Sequence, residues 1–133
     1  MSVFKTAAIF AKSSPDLKGP LEALAALVTQ SGVSLLVDET ASQILADPVR
    51  FPPNSVQTIG EKADVAIVLG GDGTTLGIGR RLAQYDCPII GINAGRLGFI
   101  TDVVLEEMSR VIPLMLEGHY VRDPRPIIEG SVL

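Results

Sequence analysis

The feature that most constrains this chain is a run of aliphatic residues, Val65-Ala66-Ile67-Val68-Leu69, that empties directly into Gly70-Gly71-Asp72-Gly73-Thr74. A short apolar run without polar alternation reads as a strand buried on both faces, and such strands belong to parallel sheets covered by helices. Glycines at its carboxyl end let the backbone adopt conformations and close approaches denied to other residues. The pattern recurs once. Residues 88–92 are apolar, and Asn93-Ala94-Gly95-Arg96-Leu97-Gly98-Phe99 follows them. Open parallel sheets bind ligands outside the carboxyl ends of their strands, where both glycine loops fall.

The rest of the chain agrees with such a sheet. Residues 4–11 read as a first buried strand, punctuated by Ser13-Ser14-Pro15-Asp16. Leu17, Leu21, Leu24 and Val28 recur at helical spacing, and Gly32 is placed to end that helix in the left-handed conformation. With a second strand over 33–37 this is a strand–helix–strand unit, which implies parallel pairing. A short helix is expected over 40–46. Pro48, Pro52 and Pro53 make 47–56 a surface loop. Residues 70–74 read as a turn and 75–84 as a helix carrying Leu76, Ile78 and Leu82. A last helix is expected over 106–116, closed by Gly118, with Pro113 bending or shortening it. The fold class is therefore α/β, a Rossmann-like, doubly wound, mostly parallel sheet with flanking helices, over residues 1–118. Residues 119–133 change character: 120–121 and 127–133 are extended and β-prone, separated by Pro124 and Pro126. They read as the first strand of a second, β-rich domain, and the chain is expected to be truncated within it.

Composition narrows the function. A formal charge of -4 and a pI near 4.9 disfavour nucleic acid, whose phosphates need a basic face. Small phosphorylated ligands stay open, because loop amides and helix starts bind them locally. The lone Cys87 allows no internal disulfide and reads as a buried residue at a strand start. No apolar stretch approaches the roughly 20 residues of a membrane helix, and residues 1–12 lack the features of a secretion signal. A cytoplasmic protein with no membrane partner is expected.

Asp72 has two readings. It caps the following helix, a position Asp favours, or it serves as a base beside bound phosphates, whose charge would raise its proton affinity. Leu97 and Phe99 could cover a flat apolar surface such as adenine. Arg80 and Arg81 read as a solvated helix face, and His119 as a boundary residue.

At these two loops the sequence resembles the NAD kinase family. Gly70-Gly71-Asp72-Gly73-Thr74 is similar to that family's glycine–aspartate signature, which diacylglycerol-type lipid kinases and phosphofructokinases share. The segment from Asn93 to Phe99 is similar to its second, more specific motif, and Arg125 and Glu129 resemble the pair that opens its β domain. The resemblance implies transfer of the terminal phosphoryl group of ATP or polyphosphate to the 2′-hydroxyl of the adenosine ribose of NAD, giving NADP, with Mg2+ shielding the charge. It implies Asp72 as the general base. Binding roles fall to Gly71, Gly73, Thr74, Leu76, Asn93, Gly95, Gly98 and Phe99, with no metal ligand assigned. Some members carry a basic residue where this chain has Gly77. Small-molecule nucleotides are the expected partners, and a homo-oligomer (dimer or tetramer) the expected assembly. The chain on its own is expected to be inactive, because the family's remaining NAD contacts come from the β domain. A diacylglycerol-type lipid kinase and a non-catalytic nucleotide-binding module are the alternatives.

Overall fold

A computed structural model describes residues 4–93, 103–118, 121–122 and 127–129, with the backbone course alone for Asp72 and for the last two segments. The elements run in order β1 (Thr6–Ala11), α1 (Lys18–Gln30), β2 (Ser34–Asp38), α2 (Glu39–Leu45), β3 (Pro53–Asn54), α3 (Val56–Lys62), β4 (Val65–Gly70), α4 (Asp72–Leu82), β5 (Ile89–Asn93), β6 (Val103–Val104), α5 (Met108–Leu116), β7 (Val121–Arg122) and β8 (Ile127–Glu129). They form one sheet in the order β3-β2-β1-β4-β5-β8-β7, and β6 also pairs with β5. Among the described residues every pairing is parallel except β7 with β8. β4 pairs along the whole of one side of β5. On the other side β6 meets Ile92 and Asn93, while β8 meets Ile89 and Ile90.

Alternation along the central strands divides the core into two layers. Ala7, Ile9, Val65, Ile67, Leu69, Ile90 and Ile92 face α1, α2 and α5. Ala8, Phe10, Ala66, Val68 and Ile89 face α3 and α4 through Ile59, Ile78 and Leu82. Helices on both faces make the sheet doubly wound, as the uninterrupted apolar strands require. Each fully buried Ile or Leu contributes about 1.5–3 kcal/mol, so aliphatic side chains suffice for a core that has no Trp and, among the described residues, one fully buried Phe.

Helix α1 buries Leu21, Leu24, Ala25 and Val28 as its spacing predicts, and Gly32 ends it at φ 78°. The Val33 N–H then reaches back to the Val28 carbonyl at 3.3 Å, which also accepts the Ser31 N–H at 3.1 Å. Gly118, just past α5, likewise has a positive φ of 105°. Helix α5 continues through Pro113, and its expected first turn is instead a 3-10 turn over Leu105–Glu107.

Three expectations need correction. Residues 47–56 are not wholly loop: Pro53 and Asn54 pair with Val37 and Asp38 as an edge strand, where a proline's missing N–H is tolerated. Helix α3 follows, started by Ser55, whose hydroxyl accepts the Thr58 N–H at 3.1 Å. The glycine turn after β4 is shorter than 70–74. α4 begins at Asp72, so Gly73 and Thr74 are helical. The short β6 lies in a segment that carried no strand expectation.

Candidate functional site

Strand order reverses between β1 and β4. From β1 the chain lays β2 and β3 toward one edge, then returns to place β4 and β5 on the other side. Such a reversal leaves a crevice outside the carboxyl ends of the two central strands. Here those ends are Lys12, just past β1, and Gly70-Gly71-Asp72 at the junction of β4 and α4. The Lys12 N–H donates to the Leu69 carbonyl at 3.0 Å, which extends the ladder one residue beyond the Ala11–Leu69 pair. Gly70 in turn pairs with Asn93.

Side chains alternate across a strand, so Lys12, Gly70 and Asn93 fall on the face that holds Phe10, Val68 and Ile89, which is the face of α4. They form one row across three neighbouring strands. With strands about 4.8 Å apart, the outer two are about 10 Å from each other. The row is tight at its centre. A Cβ on Gly70 would lie 3.1 Å from Cβ of Lys12 and 3.3 Å from Cβ and Oγ1 of Thr74, so this glycine lets β1 and α4 meet over the end of β4.

Beyond the row the site opens. Gly71 is extended, at φ -122° and ψ -174°, and offers no side chain to cap α4. The Thr75 N–H and hydroxyl both donate to the Gly71 carbonyl at 3.0 Å and pin the helix start. The amides of the first turn precede any helical acceptor, so they remain donors for something else. At Gly71, Gly73 and Gly77 a Cβ would meet no described atom within 4 Å. Glycine inside a helix costs about 1 kcal/mol relative to Ala. Neither backbone conformation nor packing among the described residues requires it at 73 or 77. These positions keep a strip of α4 bare next to the crevice. Leu76, 42% exposed, flanks that strip.

Of the residues singled out in the sequence, Gly71, Asp72, Gly73 and Thr74 thus come together at the start of α4. Leu76 lies one turn on, and half-buried Asn93 ends the adjacent strand. Arg80 and Arg81 are exposed near the other end of α4. Gly95, Leu97, Gly98, Phe99, His119 and Arg125 lie outside the described residues. Glu129 is the last residue of β8.

Two residues escaped sequence reasoning. Lys12 had no local signal, because only the pairing of β1 with β4 brings it to the glycine loop. Asp38 did have one: Asp before a short helix is a capping pattern. Its Oδ1 accepts the Ala41 N–H at 2.8 Å. Burial raises its pKa above the ordinary carboxylate value. Hydrogen bonds from the Ala41 and Ala11 amides and the charge of Arg81 oppose that shift, and Glu39 adds to it. With its oxygen committed to the start of α2, Asp38 is a structural group. Cys87, 2% exposed, is likewise structural. Burial, then the nearby Asp64 and Asp86, push its thiol up to about 11, so it stays protonated near neutral pH. Two surface hollows lie over α1 and α2, on the opposite face of the sheet from α4.

Comparison with known proteins agrees with this geometry. A sequence model of the ATP-NAD kinase N-terminal domain matches residues 21–120. The NAD kinase of Burkholderia thailandensis is 44% identical over 131 residues, which cover 98% of this chain and 44% of that protein. The NAD kinase of Paraburkholderia phymatum is 47% identical over 134 residues, covering 99% and 44%. That of Cupriavidus pinatubonensis is 43% identical over 131 residues, covering 98% and 43%. The chain therefore spans less than half the length of these relatives. With its two glycine loops, its parallel sheet and a family match over most of its length, the chain belongs to the ATP-NAD kinase family.

Proposed function

We propose that the protein carrying this chain transfers the terminal phosphoryl group of ATP or polyphosphate to the 2′-hydroxyl of the adenosine ribose of NAD, giving NADP. The observation that carries this reading is the start of α4 at the strand reversal. There first-turn amides, two glycines with room beside them and Asp72 gather at one point. Phosphoryl transfer depends chiefly on positioning and charge stabilisation, which is what such a cradle supplies.

Asp72 takes the proton of the 2′-hydroxyl. The freed oxygen bonds to the terminal phosphorus while the bond from that phosphorus to the bridging oxygen breaks, and ADP or a shortened polyphosphate leaves. Neighbouring phosphate charge raises the proton affinity of the carboxylate and suits it to this step. Gly71, Gly73, Thr74 and the adjoining amides hold phosphate or ribose. Leu76 and Phe99 line the adenosine pocket, and Asn93, Gly95 and Gly98 border it from the next loop.

Phosphoryl transfer of this kind uses Mg2+. No group of three or more His, Cys, Asp or Glu among the described residues could hold a metal ion, and the cradle brings amides, a hydroxyl and a lysine to the single carboxylate of Asp72. These residues do not form a resident metal site, so Mg2+ is assigned to the donor as MgATP and no step is routed through it. We further propose a division at residue 118 into the α/β domain and the start of a β-rich one, a homo-oligomeric enzyme (dimer or tetramer) and a cytoplasmic location. No helix among the described residues is long and apolar enough to cross a membrane.

The test is NADP formation by the full-length protein. Asp72→Asn should lower kcat by roughly 10²–10⁴-fold at an unchanged melting temperature. Phosphorylation of a diacylglycerol but not of NAD would replace this reading with a lipid kinase. Full activity in the Asn variant would remove the catalytic role of Asp72.

A further inference from the structure

We propose that Lys12 is a binding residue for the polyphosphate chain of the phosphoryl donor, an inference that rests on the phosphotransferase reading above. Lys12 lies just past β1 at the strand reversal, beside the loop that begins α4, although it stands 58 positions before Gly70 in the sequence. Its N–H bonds the Leu69 carbonyl at 3.0 Å, and this fixes its backbone against the end of β4. Alternation from Phe10 puts its side chain on the α4 face. A Cβ on Gly70 would lie 3.1 Å from Cβ of Lys12 and 3.3 Å from Cβ and Oγ1 of Thr74, so these two side chains flank the space over this glycine. The lysine stem thus rises beside the first turn of α4, where the free amides and the bare surface of Gly71 and Gly73 lie.

The side chain is exposed, and no described carboxylate lies within ion-pairing distance of it. A compact ammonium on a flexible stem, placed beside a row of amide donors, suits an anion with several charges spread along a chain. The nearest strand ends offer no competing cation: Asp38 ends β2 and Asn93 ends β5. The glycines make room for the phosphates, the amides supply directed hydrogen bonds, and Lys12 supplies the positive charge that neither provides. The site recognises the shared chemistry of ATP and inorganic polyphosphate, namely a run of linked phosphates, and leaves the acceptor to the side of β5.

The experiment uses the full-length protein in an Asp72→Asn background, so that binding is measured without turnover. Inorganic tripolyphosphate and MgATP are titrated calorimetrically into the parent, Lys12→Met and Lys12→Arg. Methionine keeps the stem and removes the charge; arginine keeps the charge. Lys12→Met should weaken both donors roughly 10–100-fold, as loss of a charged hydrogen bond does. Lys12→Arg should retain most of the affinity, and the melting temperature of both should stay at the parent value. In the active protein Lys12→Met should raise KM for ATP and leave KM for NAD unchanged. Parental donor affinity in Lys12→Met would overturn the proposal, as would equal loss in both variants accompanied by a lower melting temperature. Failure of the NAD kinase reading shows separately, as an active-protein assay in which NAD is not phosphorylated while the Lys12 variants still differ in tripolyphosphate binding.

Discussion

A Cβ added to Gly60, in α3, would run into the ring of Tyr85, whereas one added to Gly73, in α4, would meet no described atom. Both helices cover the same face of the sheet. At Gly60 the missing side chain lets α3 lie close against the turn that follows α4. At Gly73 no described atom occupies that space, which borders the proposed ligand site. Two glycines of identical chemistry thus separate a packing role from the binding role proposed above. Asp38 and Asp72 make a parallel pair. Each stands where a strand's carboxyl end passes into a helix, yet Asp38 spends its oxygen on the Ala41 amide, while Asp72 follows a cap position that offers no side chain.

The sharpest way to break this comparison is Gly73→Ala in the full-length protein. A methyl group in the ligand's space should cut NADP formation roughly 10–100-fold through misplacement of the reacting groups. The same change should leave the fold equally stable or up to about 1 kcal/mol more stable, by helix propensity. Lower stability at full activity would reverse the assignment. Gly60→Ala should show the opposite pattern. Overpacking against Tyr85 costs about 1–3 kcal/mol, and propensity returns at most about 1 kcal/mol. Denaturant unfolding should therefore register a net loss, with NADP formation per folded molecule unchanged.

Asp38→Asn is the smallest and most diagnostic change. Asparagine preserves the cap acceptor, whereas Asp38→Ala would lose about 1 kcal/mol with the cap. Because burial raises the folded-state pKa of Asp38 above 3.8, the native state binds more protons than the unfolded one just above that pH. Wild-type stability from this group is present below the unfolded pKa and is lost as pH rises through the folded pKa. The Asn variant lacks that loss. Its stability relative to wild type should thus climb over that window and level off toward neutral pH, with NADP formation intact. A flat difference across the acid range would show that Asp38 is not destabilised by burial.

Much of this was legible in the sequence because its signals are local. Aliphatic runs without alternation marked β4 and β5, apolar spacing marked α1, and Gly32 marked the end of α1, each a property of a few adjacent residues. The elements that escaped were weak in the same terms. Helix α3 is seven residues long with a glycine inside it, β6 is two residues, and β3 begins at a proline that only an edge position tolerates. The start of α4 was placed three residues late because Gly73 lowers helical propensity there, and extended Gly71 is what allows the helix to begin at once.

The residues from Val65 to Phe99 alone determined the two glycine loops, their place after buried strands and the family the chain resembles. Only the tertiary structure decided that β1 lies beside β4, because strand order depends on how crossovers fold back over the sheet and not on any neighbouring residue. That decision brings Lys12 against Gly70 and sets the crevice at the reversal. It also distinguishes the glycine that packs from the glycine that leaves room.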